Sequence, residues 1–233
     1  MCYLTGIRGG LDYARYLPRL AWKGPKKIRE YVLESLERII EEEKPDIIFL
    51  MEIQDYPELR SVAKAYPLAR IDKKYAGTGF VGNLPWLKYN ANGLFARQNY
   101  THRAQMLSAG IKRLLHSVDI GDDIRFLLGH FALSSRARAR QFAEVAHMHP
   151  DKRIIVAGDF NVFGGFDELQ PLMHARDLKS VTSEGHTTYP TTRPRYALDL
   201  VLVPKEYTAS FRVRRDICAS DHHPVVCTVS LPQ

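Results

Sequence analysis

The chain has 233 residues, and its 33 lysines and arginines against 26 aspartates and glutamates give a net charge of +7. Charged residues make up 25% and hydrophobic residues 45% of the sequence, a globular composition that excludes a disordered or collagen-like chain. Because no Gly/Ser/Pro-rich linker separates two halves, we predict a single domain over residues 1–233. The basic excess favours an anionic partner, such as nucleic acid, a phosphorylated small molecule or anionic lipid.

The number and spacing of the cysteines and the length of the apolar runs indicate the cellular compartment of the protein. Cys2, Cys218 and Cys227 are odd in number and fit neither a disulfide framework nor the spacing of zinc ligands. The longest apolar run, Ile47–Met51, is far shorter than the roughly 18 residues that suggest a membrane span, and we recognise no secretory signal. We therefore expect a cytoplasmic protein with no membrane span. No obligate protein partner is evident from the sequence.

The apolar pattern predicts a succession of helices and strands. From Lys26 to Glu43 apolar residues recur every three or four positions, as on one face of an amphipathic helix. A short buried strand over Ile47–Met51 follows, and the weaker pattern from Lys73 to Gln105 predicts loops and short strands. The remaining predicted elements are strands at Arg125–Ala132, Arg153–Ala157, Leu198–Val203 and Pro224–Val229 and a helix at Arg136–Met148.

Buried apolar runs in this sequence end in, or enclose near their ends, polar side chains that can carry chemistry. Strand ends hold such side chains on rigid backbone, while the adjoining loops give a ligand access to them. We therefore take these residues as candidates for a functional site. They are Glu52, His130, Asp159, Asn161, Asp199, Asp221 and His222.

Taken singly, most of these residues also have a structural explanation. Asp159 and Asn161 can cap a turn after a strand, and Glu52 can be a solvated charge at a strand end. His130 alone can be a hydrogen-bonded histidine of the core. Asp199 differs, because it interrupts an apolar strand and a buried carboxylate needs a partner, for which a nearby histidine is suitable.

Taken together, the candidate carboxylates favour a metal site. Four carboxylates at one end of a sheet would repel one another, and a divalent cation would neutralise them. Oxygen ligands without thiolates favour Mg²⁺ or Mn²⁺ over zinc, and neighbouring histidines could supply acid–base or phosphate contacts. These carboxylates are Glu52, Asp159, Asp199 and Asp221.

Five short motifs follow one another in order along almost the whole chain. They are Phe49-Leu50-Met51-Glu52, Gly129-His130-Phe131 with Arg138 to Gln141, Gly158-Asp159-Phe160-Asn161, Thr188-Tyr189-Pro190 with Leu198 to Leu202, and Ser220-Asp221-His222-His223-Pro224-Val225. Together the motifs resemble the endonuclease/exonuclease/phosphatase family, the metal-dependent phosphoesterases related to pancreatic DNase, abasic-site endonucleases and inositol polyphosphate phosphatases. One position departs from that pattern, because Gly6 stands where the family usually has an asparagine beside the metal.

The resemblance implies a fold and a cofactor. The fold is an α+β, DNase I-like four-layer α/β/β/α sandwich, in which two mostly antiparallel sheets are flanked by helices. The cofactor is Mg²⁺ or Mn²⁺, with Glu52 as its principal ligand and Asp221 assisting through water. Glycine at position 6 removes an amide from the surroundings of that ion.

The resemblance also implies catalytic roles in the hydrolysis of a phosphoester by water. Asp159 orients or deprotonates the attacking water, and Asn161 holds that water or a phosphate oxygen. Asp199 fixes the orientation of His222, which contacts the phosphate and stabilises the charge that develops there. His130 contacts another phosphate oxygen or assists the leaving group.

The sequence leaves the substrate open. We predict a nuclease or another nucleic-acid phosphodiesterase from the net charge, and the alternative is a phosphatase or phospholipase acting on a small phosphorylated or lipid substrate. A third interpretation is a catalytically impaired member that only binds nucleic acid or a protein partner, as Gly6 suggests. The predicted phosphate anchors are Arg8, Arg97 and Arg138.

Overall fold

A computed structural model describes residues 26–54, 57–74 and 90–231. The chain groups into two compact units, each assembled from discontinuous segments. The first unit takes Met1–Asn99, Tyr189–Arg195 and Arg214–Pro224, and the second takes Tyr100–Thr188, Tyr196–Val213 and Val225–Gln233. The single domain predicted over residues 1–233 stays a prediction.

The described part of the first unit contains a three-stranded antiparallel sheet and two helices. The central strand of this sheet is buried along its whole length, and the helix Lys26–Glu43 packs Val32 and Leu36 into the same core as Phe95 of that strand. The elements, with strand order β1-β3-β2, are α1 (Lys26–Glu43), β1 (Ile47–Gln54), α2 (Pro57–Ala63), β2 (Leu68–Lys73) and β3 (Asn90–Ala96).

An arginine ties the segment Arg214–Pro224 to the end of α1. The last turn of α1 carries Glu42 and Glu43, although the carboxyl end of a helix disfavours negative charge. Arg214 offsets this by pairing with Glu42 at 2.6 Å and with Glu43 at 2.5 Å. It also pairs with Asp216, whose pKa it lowers to about 2 by hydrogen bonding. The segment that carries Asp221 and His222 is thereby fixed against the helix.

The described part of the second unit contains a six-stranded mixed sheet, a two-stranded sheet and short helices. The elements are β4 (Thr101–Met106), β5 (Leu114–Ile120), β6 (Ile124–His130), α3 (Ser135–His147), β7 (Arg153–Asp159), a 3₁₀ turn (Phe166–Leu169), α4 (Gln170–Ala175), β8 (Leu178–Ser180), β9 (Asp199–Pro204), β10 (Thr208–Val213) and β11 (Val225–Ser230). The strands of the large sheet lie in the order β4-β5-β6-β7-β9-β8, and every neighbouring pair is antiparallel except β6 with β7.

The predicted helices and strands that fall on described residues are present, with ends shifted by a few residues. The helix predicted from Lys26 to Glu43 is confirmed at both ends. The weakly patterned stretch from Lys73 to Gln105 contains β3 and most of β4, and its residues 75–89 lie outside the described ranges. No helix in the described ranges is long and apolar enough to cross a membrane.

The one parallel pairing of the large sheet depends on two glycines. Strands β6 and β7 are joined through α3, and parallel strands need a crossover of this kind. In their register Gly129 lies opposite Gly158. Gly158 has a φ of 138°, and a Cβ built there would lie 1.8 Å from the carbonyl oxygen of Gly129. A side chain at this position would therefore force the two strands apart.

We predict that Gly158→Ala lowers the free energy of unfolding by about 3 kcal/mol or more, because backbone strain and a steric clash act together. Gly121→Ala is the matched control, since Gly121 also has a positive φ, 66°, but a Cβ there would meet no atom within 4 Å. We expect the control to lose only about 1 kcal/mol. Urea unfolding of both variants provides the measurement, and equal losses would contradict the steric explanation.

Candidate active site

Three neighbouring strands of the second unit bring predicted site residues to matching positions. In the parallel pair β6–β7, His130 lies opposite Asp159, and in the antiparallel pair β7–β9, Asp159 lies opposite Asp199. All three residues are buried. We call these three residues, after their role predicted from the sequence, the catalytic row. The sequence predicted that these residues belong to one site, and the strand register places them side by side.

Both carboxylate oxygens of Asp159 are held. Nε2 of His130 lies 3.1 Å from Oδ2, and the backbone N–H of Asn161 donates to Oδ1 at 3.0 Å. Asn161 has a φ of 54°, a left-handed conformation that asparagine tolerates, and its Nδ2 donates to the carbonyl of Phe131 at 2.9 Å. Asp159 is therefore held between the end of β6 and the residues that follow β7.

Lys112 lies beside the catalytic row and was not predicted from the sequence. Its Nζ contacts Nε2 of His130. An ammonium group only donates hydrogen bonds, so this contact uses the lone pair of a neutral imidazole, whereas a bond from the same nitrogen to Asp159 requires a proton on it. The tautomer of His130 therefore decides which of the two partners this nitrogen serves. Lys112 stands in a loop without a recognisable motif.

Helix α3 fixes the loop that carries Lys112. Gln141 is fully buried, and its Nε2 donates to the carbonyls of Ala109 at 2.8 Å and Lys112 at 2.6 Å. Its Oε1 accepts from the backbone N–H of Ala132 at 2.8 Å, just beyond the end of β6. One side chain thus joins the Lys112 loop to the strand that bears His130.

Arg138, a predicted phosphate anchor, makes several structural contacts. It is buried, its Nη1 donates to the carbonyls of Ala132 and Leu133, both at 2.9 Å, and its Nε donates to Glu168 at 2.9 Å. These bonds link the end of β6 to the 3₁₀ turn that follows Asn161. The contacts therefore favour a positioning role, while direct contact with substrate stays a prediction.

Asp199 begins β9 and has a hydroxyl partner in the same unit. Oγ1 of Thr188 donates to its Oδ2 at 2.5 Å, and the backbone N–H of Thr188 donates to the carbonyl of Tyr196 at 2.8 Å. The sequence indicated that this buried carboxylate needs a partner, and Thr188 is one. The predicted pairing of Asp199 with His222 stays a prediction.

Glu52 occupies an irregular position of β1 in the first unit. The register of β1 against β3 shifts between Leu50 and Ile53, and Glu52 within this bulge has a φ of 52°. Its backbone N–H donates to Oδ1 of Asn92 at 3.1 Å, and its carboxylate pairs with Nζ of Lys74. A bulge redirects a side chain, and non-glycine residues in this backbone region cluster at functional sites. The alternative, a solvated strand-end charge, is wrong because Glu52 is buried.

Asp221 and His222 lie in a hydrogen-bonded turn of the first unit. Oγ of Ser220 donates to Oδ1 of Asp221 at 3.1 Å and accepts from the backbone N–H of His222 at 3.3 Å. The backbone N–H of Thr191 donates to the carbonyl of Asp221 at 2.8 Å. The ring of Tyr189 packs against the imidazole of His222 with a centroid separation of 4.8 Å. Both predicted side chains are therefore buried and held.

The residues predicted to bind a divalent cation fit one chemically. Glu52 and Asp221 are buried carboxylates, and oxygen donors of this kind suit Mg²⁺ or Mn²⁺. Buried carboxylates also need a compensating charge, which a cation supplies. Lys74 already gives part of that compensation to Glu52.

Three positions singled out in the sequence remain: Gly6, Arg8 and Arg97. Arg8 and Gly6 lie outside the described residues. Arg97 is exposed, and its Nε donates to the carbonyl of Pro45 at 3.0 Å. The roles of Arg8 and Arg97 as phosphate anchors stay predictions.

We predict that Arg138→Met lowers the free energy of unfolding by about 2–3 kcal/mol, because it leaves two carbonyls and Glu168 without their donor. Arg140→Met, an exposed position of the same helix, should change it by no more than about 0.5 kcal/mol. Chemical denaturation provides the measurement. A stable Arg138→Met protein with weakened substrate binding would instead support the phosphate-anchor role.

Solved structures of other proteins share this fold at low sequence identity. TDP2 from C. elegans has a TM-score of 0.63 at 16% identity, covering 88% of this chain and 71% of that one. An endonuclease/exonuclease/phosphatase from Beutenbergia cavernae has a TM-score of 0.66 at 18% identity, covering 88% and 67%. D. rerio TDP2 complexed with a single-strand DNA product has a TM-score of 0.61 at 16% identity, covering 87% and 92%.

The sequence itself identifies the family. No curated protein matches the chain significantly. The Endonuclease/Exonuclease/phosphatase family, however, matches residues 21–222, which is most of the chain. Together with the solved structures, this match confirms the predicted DNase I-like α+β fold. The chain belongs to the Endonuclease/Exonuclease/phosphatase family.

Proposed function

We propose that this chain is a Mg²⁺- or Mn²⁺-dependent phosphoester hydrolase that acts as a nuclease or phosphodiesterase on nucleic acid. The observation that carries the proposal is the catalytic row, His130, Asp159 and Asp199, buried on adjacent strands with Asn161 fixed beside it. Members of the family are phosphoesterases, and a row of buried ionisable groups is typical of an active site.

In this mechanism Asp159 orients the attacking water and accepts its proton. The hydrogen bond from the backbone of Asn161 and the contact with His130 restrict the orientation of the Asp159 carboxylate, which lowers the entropic cost of placing the water. Asn161 holds the same water or a phosphate oxygen. Its backbone N–H and its Nδ2 both have protein partners, so the amide stays in one orientation.

His130 and Lys112 would place a hydrogen-bond donor and a positive charge beside the phosphoryl group. A histidine between a carboxylate and an ammonium can donate to an oxygen that gains charge during the reaction. Lys112 adds a positive charge beside the histidine. His130 then contacts a phosphate oxygen or protonates the leaving group.

Glu52 and Asp221 would hold the divalent cation, and His222 would contact the phosphate. A divalent cation held there would supply neutralisation of negative charge on the phosphoryl oxygens. Tyr189 and Ser220 keep His222 and Asp221 in place, because each contacts one of them directly. In this proposal Asp199, which accepts a hydrogen bond from Thr188, orients the imidazole of His222.

Net charge supports nucleic acid as the substrate. The chain carries +7 although its candidate site is rich in carboxylates, so most of its lysines and arginines lie outside that site. Such a surplus attracts a polyanion towards an acidic, metal-binding site. One structurally similar protein, D. rerio TDP2, was solved with a single-strand DNA product, which agrees with this choice.

A substrate panel tests this proposal. Purified protein is incubated with single- and double-stranded DNA, abasic DNA, RNA, inositol phosphates, sphingomyelin and a chromogenic phosphodiester, each with Mg²⁺ and with EDTA. We expect cleavage of a nucleic acid that EDTA abolishes and Mg²⁺ restores, and binding that weakens steeply with salt through counterion release.

Two variants provide the control for this panel. Asp159→Asn should lower the rate by about 100-fold or more, because it removes the proton acceptor, whereas Asp167→Asn, an exposed acid in the 3₁₀ turn, should cleave like wild type. Turnover confined to inositol phosphates or sphingomyelin would identify the phosphatase or phospholipase alternative. Nucleic-acid binding without any turnover would identify the impaired, binding-only alternative.

A further inference from the structure

Glu52 pairs with a lysine that no sequence motif indicates. Nζ of Lys74 contacts Oε1 of Glu52, and the two side chains are only 0% and 3% exposed. A lysine is almost never fully buried without a partner, because removing an ammonium group from water is costly. Glu52 and Lys74 therefore compensate one another as a buried ion pair, and Glu52 is the proposed principal ligand of the metal.

The strand order sets up this contact. Glu52 belongs to β1 and Lys74 directly follows β2, so the two backbones lie on either side of the central strand β3, about 10 Å apart. Each is tied to β3, since Lys74 donates its N–H to the carbonyl of Asn90 at 3.0 Å and Glu52 donates its N–H to Asn92. The long lysine side chain spans the remaining distance over buried strand.

A lysine in this place competes with a metal ion. One carboxylate oxygen of Glu52 is already neutralised, and an ammonium group close to the ion position repels a divalent cation. Because the pair is buried, solvent and salt screen this repulsion poorly. An incoming ion must either displace Lys74 from Glu52 or share the carboxylate with it.

We propose that Lys74 is an internal counter-cation of the metal site, which holds Glu52 in place when no metal is bound and weakens the binding of Mg²⁺ and Mn²⁺. This inference rests on the proposed function, in which Glu52 is a metal ligand. Weak binding makes the metal-loaded fraction of the protein respond to the concentration of the free ion. The lysine also keeps the buried carboxylate compensated in the metal-free protein.

Binding of Mn²⁺, measured by electron paramagnetic resonance on the full chain, tests the inference. Lys74→Gln keeps a hydrogen-bond donor near Glu52 but removes the charge, and we expect its Kd for Mn²⁺ to fall by about tenfold or more. Lys73→Gln is the matched control, because it makes the same substitution at the neighbouring, exposed lysine. Its Kd should stay within about twofold of wild type.

Thermal unfolding gives a second readout. In EDTA, Lys74→Gln should have a lower Tm than wild type, because Glu52 loses its compensating charge, and Mg²⁺ should raise the Tm of this variant more than that of wild type. A variant that folds only with the ion bound would also support the inference. An unchanged Kd, or destabilisation of equal size with and without the ion, would overturn it.

A third variant separates failure of this inference from failure of the proposed function. Glu52→Gln should weaken Mn²⁺ binding strongly, since it removes the charged ligand. If Glu52→Gln binds Mn²⁺ like wild type, the metal role of Glu52 in the proposed function is wrong. If Glu52→Gln loses binding while Lys74→Gln binds like wild type, only the role of Lys74 is wrong.

Discussion

The close approach of β6 and β7 is the constraint on which the candidate chemistry depends. The two strands run parallel in a sheet whose other pairs are antiparallel, and the Gly129–Gly158 contact lets their ends meet. This register sets His130 against Asp159, and the next strand sets Asp199 beside them. Crossover helix α3 then secures the loops at this edge through buried Arg138 and Gln141. His130, Asp159 and Asp199, which the sequence shows only in separate short motifs, thereby lie at fixed positions on adjacent strands.

The buried carboxylates of this structure each have a neighbouring group that compensates their charge. A buried carboxylate without a partner is costly, so each of the buried acids in the two units needs a donor. In the described residues the donors differ in kind: histidine, hydroxyl or ammonium. The pairs are Asp159 with His130, Asp199 with Thr188, Asp221 with Ser220, and Glu52 with Lys74. The proposed metal would add to this existing compensation, and at Glu52 it would compete with it.

Much of the fold and the main candidate residues could be predicted from the sequence because they lie in strong local patterns. The helix from Lys26 to Glu43 shows clear periodicity, and Asp159 directly follows a buried strand in a recognisable tetrapeptide. Lys74 and Lys112 could not be predicted, because their positions beside Glu52 and His130 depend on strand order and loop path. The role of Arg138 could not be predicted for a different reason. An arginine near a strand end suits phosphate binding and the fixing of a loop equally well, and only the burial and the contacts of Arg138 favour the fixing of a loop.

The central claim is that the catalytic row, together with a divalent cation, directs water onto phosphorus. It is tested most directly by cleaving the best substrate of the panel in ¹⁸O-labelled water and analysing the products by mass spectrometry. The account predicts one ¹⁸O atom on the phosphate product for each bond cleaved and none on the alcohol product, in a reaction that needs the metal. Label on the alcohol, or cleavage that leaves the phosphate unlabelled, would contradict it.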